Sequence, residues 1–127
     1  MVALQTDPNY QALGVPVLSI AFDSLEEQAP AAQELGITTV PMLSDADHSV
    51  SAAYQVLQWA VGTGEPGHTF ILVGADGRIA WLQDYGAPDN PNRTMYVPLA
   101  ELTEKVKVHP DYQKIVNSGI VAKKVVY

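Results

Sequence analysis

No cysteine occurs anywhere in the 127 residues. Structural disulfides, thiolate metal sites and catalysis by a thiol of this chain are therefore excluded. Basic side chains are scarce as well. Seven Lys and Arg stand against fourteen Asp and Glu, a formal net charge of -7. A surface of that sign repels phosphate backbones and anionic lipids, so no nucleic acid is expected among the partners. The one adjacent basic pair, Lys123 and Lys124, is too small for more than solvating a tail. Long apolar runs are also missing. Nothing approaches the ~20 residues that cross a bilayer, so no membrane segment is expected in this chain. The start, Met1 to Pro8, lacks the basic opening and apolar core of a signal peptide. Without cysteine the usual clue to redox compartment is gone, and localisation is left open.

What is present is ordinary for a folded globular chain: 47% of residues are hydrophobic and 17% charged. The length suits one domain with a modest core. His48 and His109 have no second histidine at helical spacing, so neither reads as a metal ligand. Asp45 and Asp47 read as turn and helix-cap residues rather than a catalytic pair. Ser44, Ser49 and Ser51 lack the glycine-flanked sharp turn of a serine nucleophile. Gly62-Thr63-Gly64 with Gly67 is glycine-rich but has no following Lys-Ser/Thr, so it is no phosphate-binding loop.

Along the chain, strand and helix patterns alternate, which predicts an α/β layer architecture. Val2 to Leu13 reads as the end of a helix, awkwardly interrupted by Pro8 and stopped by Gly14. Val17 to Asp23 is a nearly continuous apolar run and reads as a strand buried on both faces. Ser24 with Glu27 forms a capping-box pattern opening a helix that runs to Leu35, with Pro30 inside it. Thr39 to Leu43 reads as a short edge piece. Asp47 then caps a helix with Val50, Ala53, Tyr54 and Leu57 on one face.

His68 to Gly74 is a second apolar strand, and Asp76-Gly77 turns it into an antiparallel partner, Arg78 to Asp84. Trp59 and Trp81 read as packing residues. Tyr85 with Gly86, and Met95-Tyr96-Val97-Pro98, read as loop anchors. Pro98 opens a final helix that buries Leu99, Leu102 and Val106. Residues 109–127 read as a peripheral tail that at most adds a short edge strand.

Three local signatures, in order, carry a resemblance. Val17 to Asp23 followed by Ser24 is similar to a strand ending in Asp-Ser. Met42-Leu43-Ser44-Asp45, then Val50 and Ala53-Tyr54, is similar to a Leu-Ser-Asp … Val … Ala-Tyr segment. His68-Thr69-Phe70-Ile71-Leu72-Val73, then Asp76-Gly77-Arg78-Ile79, is similar to a Thr-Phe strand and Asp-Gly-Arg-Ile hairpin. Together they resemble the peroxiredoxin-like redoxins, that is, alkyl hydroperoxide reductase and thiol-specific antioxidant proteins. The resemblance is clear to about residue 85 and fainter to about 108.

The resemblance implies an incomplete thioredoxin-like fold, an α/β mixed sheet with flanking helices. Residues 1–108 would be its C-terminal portion. It also implies a thiol oxidoreductase that reduces peroxides or exchanges disulfides and needs an external thiol reductant, with no metal or organic cofactor. The catalytic cysteine of such proteins opens the helix whose rear corresponds here to Met1 to Leu13, so it lies outside this chain. The loop that would face the thiol is Pro66, Gly67, His68 and Thr69, with Pro66 in the region of a cis-proline. Gly67 stands where the family arginine is expected, and Gln55 where many members have glycine. The missing central strand would leave two open inner sheet edges, which invites homo-oligomerisation or closure of the sheet in an altered order. A second reading is a cysteine-free, degenerate module of the same fold that binds a protein or itself.

Overall fold

The computed structural model describes residues 2–94 and 97–117, and residues 124–126 as backbone. The first predicted helix is two short ones, α1 (Val2–Thr6) and α2 (Pro8–Gln11). Asp7 separates them: its carboxylate accepts the Tyr10 N–H at 2.8 Å. Pro8 takes a first-turn position, where its missing N–H costs nothing. Gly14 follows at φ +69°, a left-handed conformation that ends the segment. Strand β1 (Val17–Ala21) leads to α3 (Leu25–Glu34). The capping box forms as expected: Ser24 N–H donates to Glu27 Oε2 at 2.8 Å, and Glu27 N–H to Ser24 Oγ at 3.2 Å. Strand β2 (Met42–Ser44) is the edge piece and lies parallel to β1.

The next helix, α4 (Ser49–Ala53), is shorter than its pattern predicts, and a 3-10 turn (Val56–Trp59) follows it. The expected apolar face is not the buried one. Val50 is exposed, whereas Ser51 and Val56 are fully buried. Gln55 breaks the helix between them by adopting φ +60°. That conformation favours glycine and costs another residue about 1 kcal/mol, so the departure from glycine here is physically uncomfortable.

Strands β3 (Thr69–Val73) and β4 (Ile79–Asp84) form the expected antiparallel hairpin. Gly77 turns it at φ +80°, and Asp76 Oδ1 accepts the Arg78 N–H at 3.0 Å. Helix α5 (Leu99–Lys107) buries Leu102 and Val106 completely, as its spacing predicts, with Leu99 packed against the core. Pro98 caps it rather than opening it. Met95 and Tyr96, read above as loop anchors, lie outside the described residues, as does Lys123.

The segment after His109 is not peripheral. It forms α6 (Tyr112–Asn117), which buries Ile115, and the Tyr112 hydroxyl donates to the Leu13 carbonyl at 2.8 Å. His109 joins this corner to the sheet. Its Nδ1 accepts the Asp111 N–H at 3.1 Å, so Nε2 carries the proton and donates to the Ala80 carbonyl at 3.1 Å. Strand β5 (Lys124–Val126) then enters the middle of the sheet rather than an edge.

The sheet has five strands in the order β2-β1-β5-β3-β4. Strand β5 runs parallel to β1 and antiparallel to β3. The expectation of two open inner edges is thereby corrected: the chain closes its own sheet in an altered order. Among the described residues, the outer strands of the sheet are β2 and β4. Alternation along β3 divides the core. Phe70 and Leu72 join Tyr10, Leu13, Leu102 and Val106 in the larger cluster, while Ile71 faces the smaller one with Ile20 and Val56.

Asp45 rather than Asp47 makes the main cap of α4. It is 3% exposed, and its carboxylate accepts the Val50 N–H at 3.0 Å, the Ser51 N–H at 2.8 Å and the Ser51 hydroxyl at 2.6 Å. Burial alone would raise this carboxyl's pKa, but the three Ser51 and Val50 donors and nearby His48 outweigh it and hold the pKa below its ordinary value. A carboxyl depressed in the fold stabilises it above the unfolded pKa and loses that contribution as the pH falls. Asp45→Ala is expected to cost about 1–2 kcal/mol in urea denaturation at neutral pH. The gap from the parent chain should narrow as the pH drops below roughly 3.9. A gap that stays constant from pH 7 to pH 3 would contradict this account of the cap.

Candidate functional site

The candidate loop is built from a small turn that delivers the chain to β3. Ala60 and Pro66 form an isolated bridge, Val61 N–H donates to the Glu65 carbonyl at 2.8 Å, and Gly64 turns the chain at φ +86°. Pro66 is half-buried at the end of this turn. No cis peptide bond occurs among the described residues, so Pro66 is not a cis-proline here.

Gly67 is buried where the loop crosses Gly86. A Cβ on Gly67 would lie 2.5 Å from the Val61 Cγ1 and 3.4 Å from the Gly86 carbonyl oxygen. The position at which an arginine is expected from the resemblance thus has no room for a side chain in this arrangement.

His68 follows at φ +53°, half-buried, and its carbonyl accepts the Tyr85 N–H at 3.2 Å. Burial pushes the imidazole pKa below its ordinary value, while the Asp84 charge pulls the other way. The neutral ring therefore dominates at pH 7. Thr69 is fully buried, and its hydroxyl donates to Asp84 Oδ1 at 3.3 Å.

Asp84 is the organising residue, and the sequence reading passed it over as the last residue of a strand. Register places it directly opposite Thr69. Its carboxylate also accepts the N–H groups of Gly86 at 3.3 Å and Ala87 at 3.1 Å, and the Asn90 amide at 3.4 Å. One buried carboxylate thus ties β3 to the loop after β4. The signal was there: an Asp followed by Tyr-Gly-Ala at a strand end is the pattern of a side chain that caps its own loop. Tyr85 anchors the same loop edge-to-face on Phe70, with ring centroids 5.7 Å apart. Its buried hydroxyl finds no hydrogen-bond partner among the described residues. Burial, with Glu101 adding to it, pushes that hydroxyl's pKa up to about 12. Beside Asp84 lies an open depression of about 350 Å³ lined in part by Trp59, Leu82, Ala87 and Asn90.

The structure therefore brings Pro66, Gly67, His68 and Thr69 together on one strand-entry loop and locks that loop to residues 84–90. The loop itself offers backbone groups and one neutral imidazole, while the Thr69 hydroxyl is buried and committed to Asp84. Asp45 and His48 belong elsewhere, at the end of β1, where the His48 ring stacks on Phe22 at 3.7 Å. Among the described residues no three His, Asp or Glu side chains converge as a metal site, and no helix is long and apolar enough to cross a membrane.

A mixed sheet with helices packed on it, a β3–β4 hairpin and a loop at the start of β3 define an incomplete thioredoxin-like domain of the redoxin class. The chain belongs to the AhpC/TSA family, whose family model matches residues 3–82. The match runs from α1 into β4 and includes the whole of the candidate loop. No match was found among curated proteins, and none among solved structures.

Proposed function

We propose that this chain is the C-terminal part of a peroxiredoxin-like thiol oxidoreductase whose catalytic cysteine lies outside it. The observation that carries the reading is the family match over residues 3–82 in a sequence with no cysteine. The chemistry expected of the whole protein is peroxide reduction or thiol–disulfide exchange. In the peroxide reaction a thiolate attacks one peroxide oxygen, the O–O bond breaks, and the leaving oxygen takes a proton. One external thiol then condenses with the sulfenic acid to a mixed disulfide, releasing water, and a second thiol attacks that disulfide, freeing the catalytic thiol and leaving the two reductant thiols joined as a disulfide. The loop of Pro66, Gly67, His68 and Thr69 would face that thiolate. Its backbone groups and the His68 ring would supply hydrogen bonds there. Neither a metal nor an organic cofactor enters this scheme.

A second reading has one observation in its favour. Strand β5 completes the sheet from within the chain, so no further strand is required to pair β1 and β3. A cysteine-free module for protein binding or self-association would need that self-sufficiency. Reading the DNA upstream of the Met1 codon in frame separates the two. The proposal expects an open frame encoding a strand pattern and then a cysteine at a helix start. A stop codon close to Met1, with a ribosome-binding site between, would overturn it in favour of the module.

A further inference from the structure

Charge is divided unevenly along the chain. No Lys or Arg precedes Arg78, whereas nine of the fourteen acidic residues do. The one salt bridge among the described residues joins Lys105 to Glu101 at 2.8 Å, so no carboxylate before Arg78 is ion-paired among them. Part of this unpaired charge gathers where β1 and β2 end together, with Ala21 paired to Ser44. The segments that follow the two strands are tied to one another. Gln28 Nε2 donates to the carbonyls of Asp23 at 2.7 Å and Leu43 at 3.3 Å, Asp45 N–H donates to the Ala21 carbonyl at 2.7 Å, and the Phe22 and His48 rings stack. Around these ties Asp23, Glu26 and Asp47 are exposed, together with three large apolar side chains: Leu25 is 60% exposed, Leu43 41% and Val50 38%. Gln28 itself is only 7% exposed, and its Oε1 has no hydrogen-bond partner among the described residues. A buried acceptor left in that state is costly, and it points to a donor missing from this corner.

We propose that this end of the β1–β2 pair is a docking surface for a basic, amphipathic segment of a partner protein, in which lysine or arginine alternates with leucine or valine. Charge complementarity selects the partner. Its cations face Asp23, Glu26 and Asp47, and its apolar side chains cover Leu25, Leu43 and Val50. Lysine and arginine carry donors and no acceptor, which is what the Gln28 oxygen lacks. The same carboxylates repel nucleic acid and a second copy of this surface. Register through β5 sets the end of β1 at the same end of the sheet as the start of β3, so the partner docks on the side of the molecule that carries the candidate loop. The surface uses no thiol, so its failure would leave the function proposed above untouched.

The test uses the full chain and a fluorescein-labelled peptide, Lys-Leu-Arg-Val-Lys-Leu-Arg, followed by fluorescence anisotropy. The control peptide keeps the charges and has serine at each Leu and Val. The first peptide should bind saturably, and the serine control at least about tenfold more weakly. Asp23→Asn with Glu26→Gln should weaken binding of the first peptide at least about tenfold. Glu104→Gln with Asp111→Asn removes the same charge from α5 and the start of α6, and should change affinity by no more than about twofold. Leu25→Ser leaves the charge intact and should weaken binding about fivefold, so it decides alone should the first double variant not fold. No saturable binding overturns the proposal. Equal weakening in the two double variants overturns it too, because the peptide then follows net charge rather than this surface. Equal binding of the serine control likewise overturns it, leaving attraction of any polycation.

Discussion

Replacing Gly86 by Ala is expected to destabilise the fold by about 3 kcal/mol or more, read as a shift of the urea midpoint. The cause is a backbone crossing. A Cβ at Gly86 would fall on the carbonyl group of Gly67, and neither main chain can withdraw without pulling β3 or the loop after β4 out of place. Gly67→Ala should cost less. Its closest clash is with a methyl of Val61, which can rotate away, although the Gly86 carbonyl is close behind. Gly62→Ala is the control: nothing lies within 4 Å of its added methyl, so its effect should stay within about 0.5 kcal/mol. Equal effects at Gly62 and Gly86 would show that the crossing does not exist in solution.

Asp84→Ala is the second large effect, about 3 kcal/mol at neutral pH. The substitution leaves the Thr69 hydroxyl and the N–H groups of Gly86 and Ala87 without their acceptor in a buried environment. Each buried donor so orphaned costs about 1–3 kcal/mol unless the loop opens to water. Opening is the cheaper course, so the loss should appear as faster amide exchange across residues 84–90 and in the first residues of β3. Asp84→Asn keeps one oxygen acceptor and should retain about half of the lost stability. If Asp84→Ala unfolds at the same urea concentration as the parent, Asp84 does not organise the loop.

Much of this architecture was legible because local chemistry and global position agree. Thr69 to Val73, and Val17 to Ala21 within the predicted run to Asp23, are apolar stretches that become inner strands. Ser24 with Glu27, and Asp76 with Gly77, are short-range signals whose partners lie within three residues, and both form as their chemistry predicts. The failures have a common cause in long-range pairing. Lys124–Val126 has no local feature that distinguishes an edge strand from a central one; only the vacancy between β1 and β3 decides it. The α4 face failed because Gln55 takes a left-handed conformation that its residue type does not advertise, ending the helix before Leu57 could share a face with Val50.

The candidate loop was placed by resemblance rather than by chemistry. Its organising residue, Asp84, sits fifteen positions from Thr69, and strand register alone brings the two together. The same crossing explains why the loop is so free of side chains at its centre. Gly67 and Gly86 let two main chains touch, which positions His68 and Thr69 at the start of β3 without a bulky neighbour between them.

Peroxide consumption, followed with a thiol reductant present, tests the central claim most directly. The 127-residue chain should show only the background rate, since it carries no thiol. The longer protein with its upstream segment should turn over peroxide, and replacing that segment's cysteine by serine should return it to background. Turnover by the 127-residue chain alone, or turnover by the longer protein that survives the serine replacement, would contradict the account.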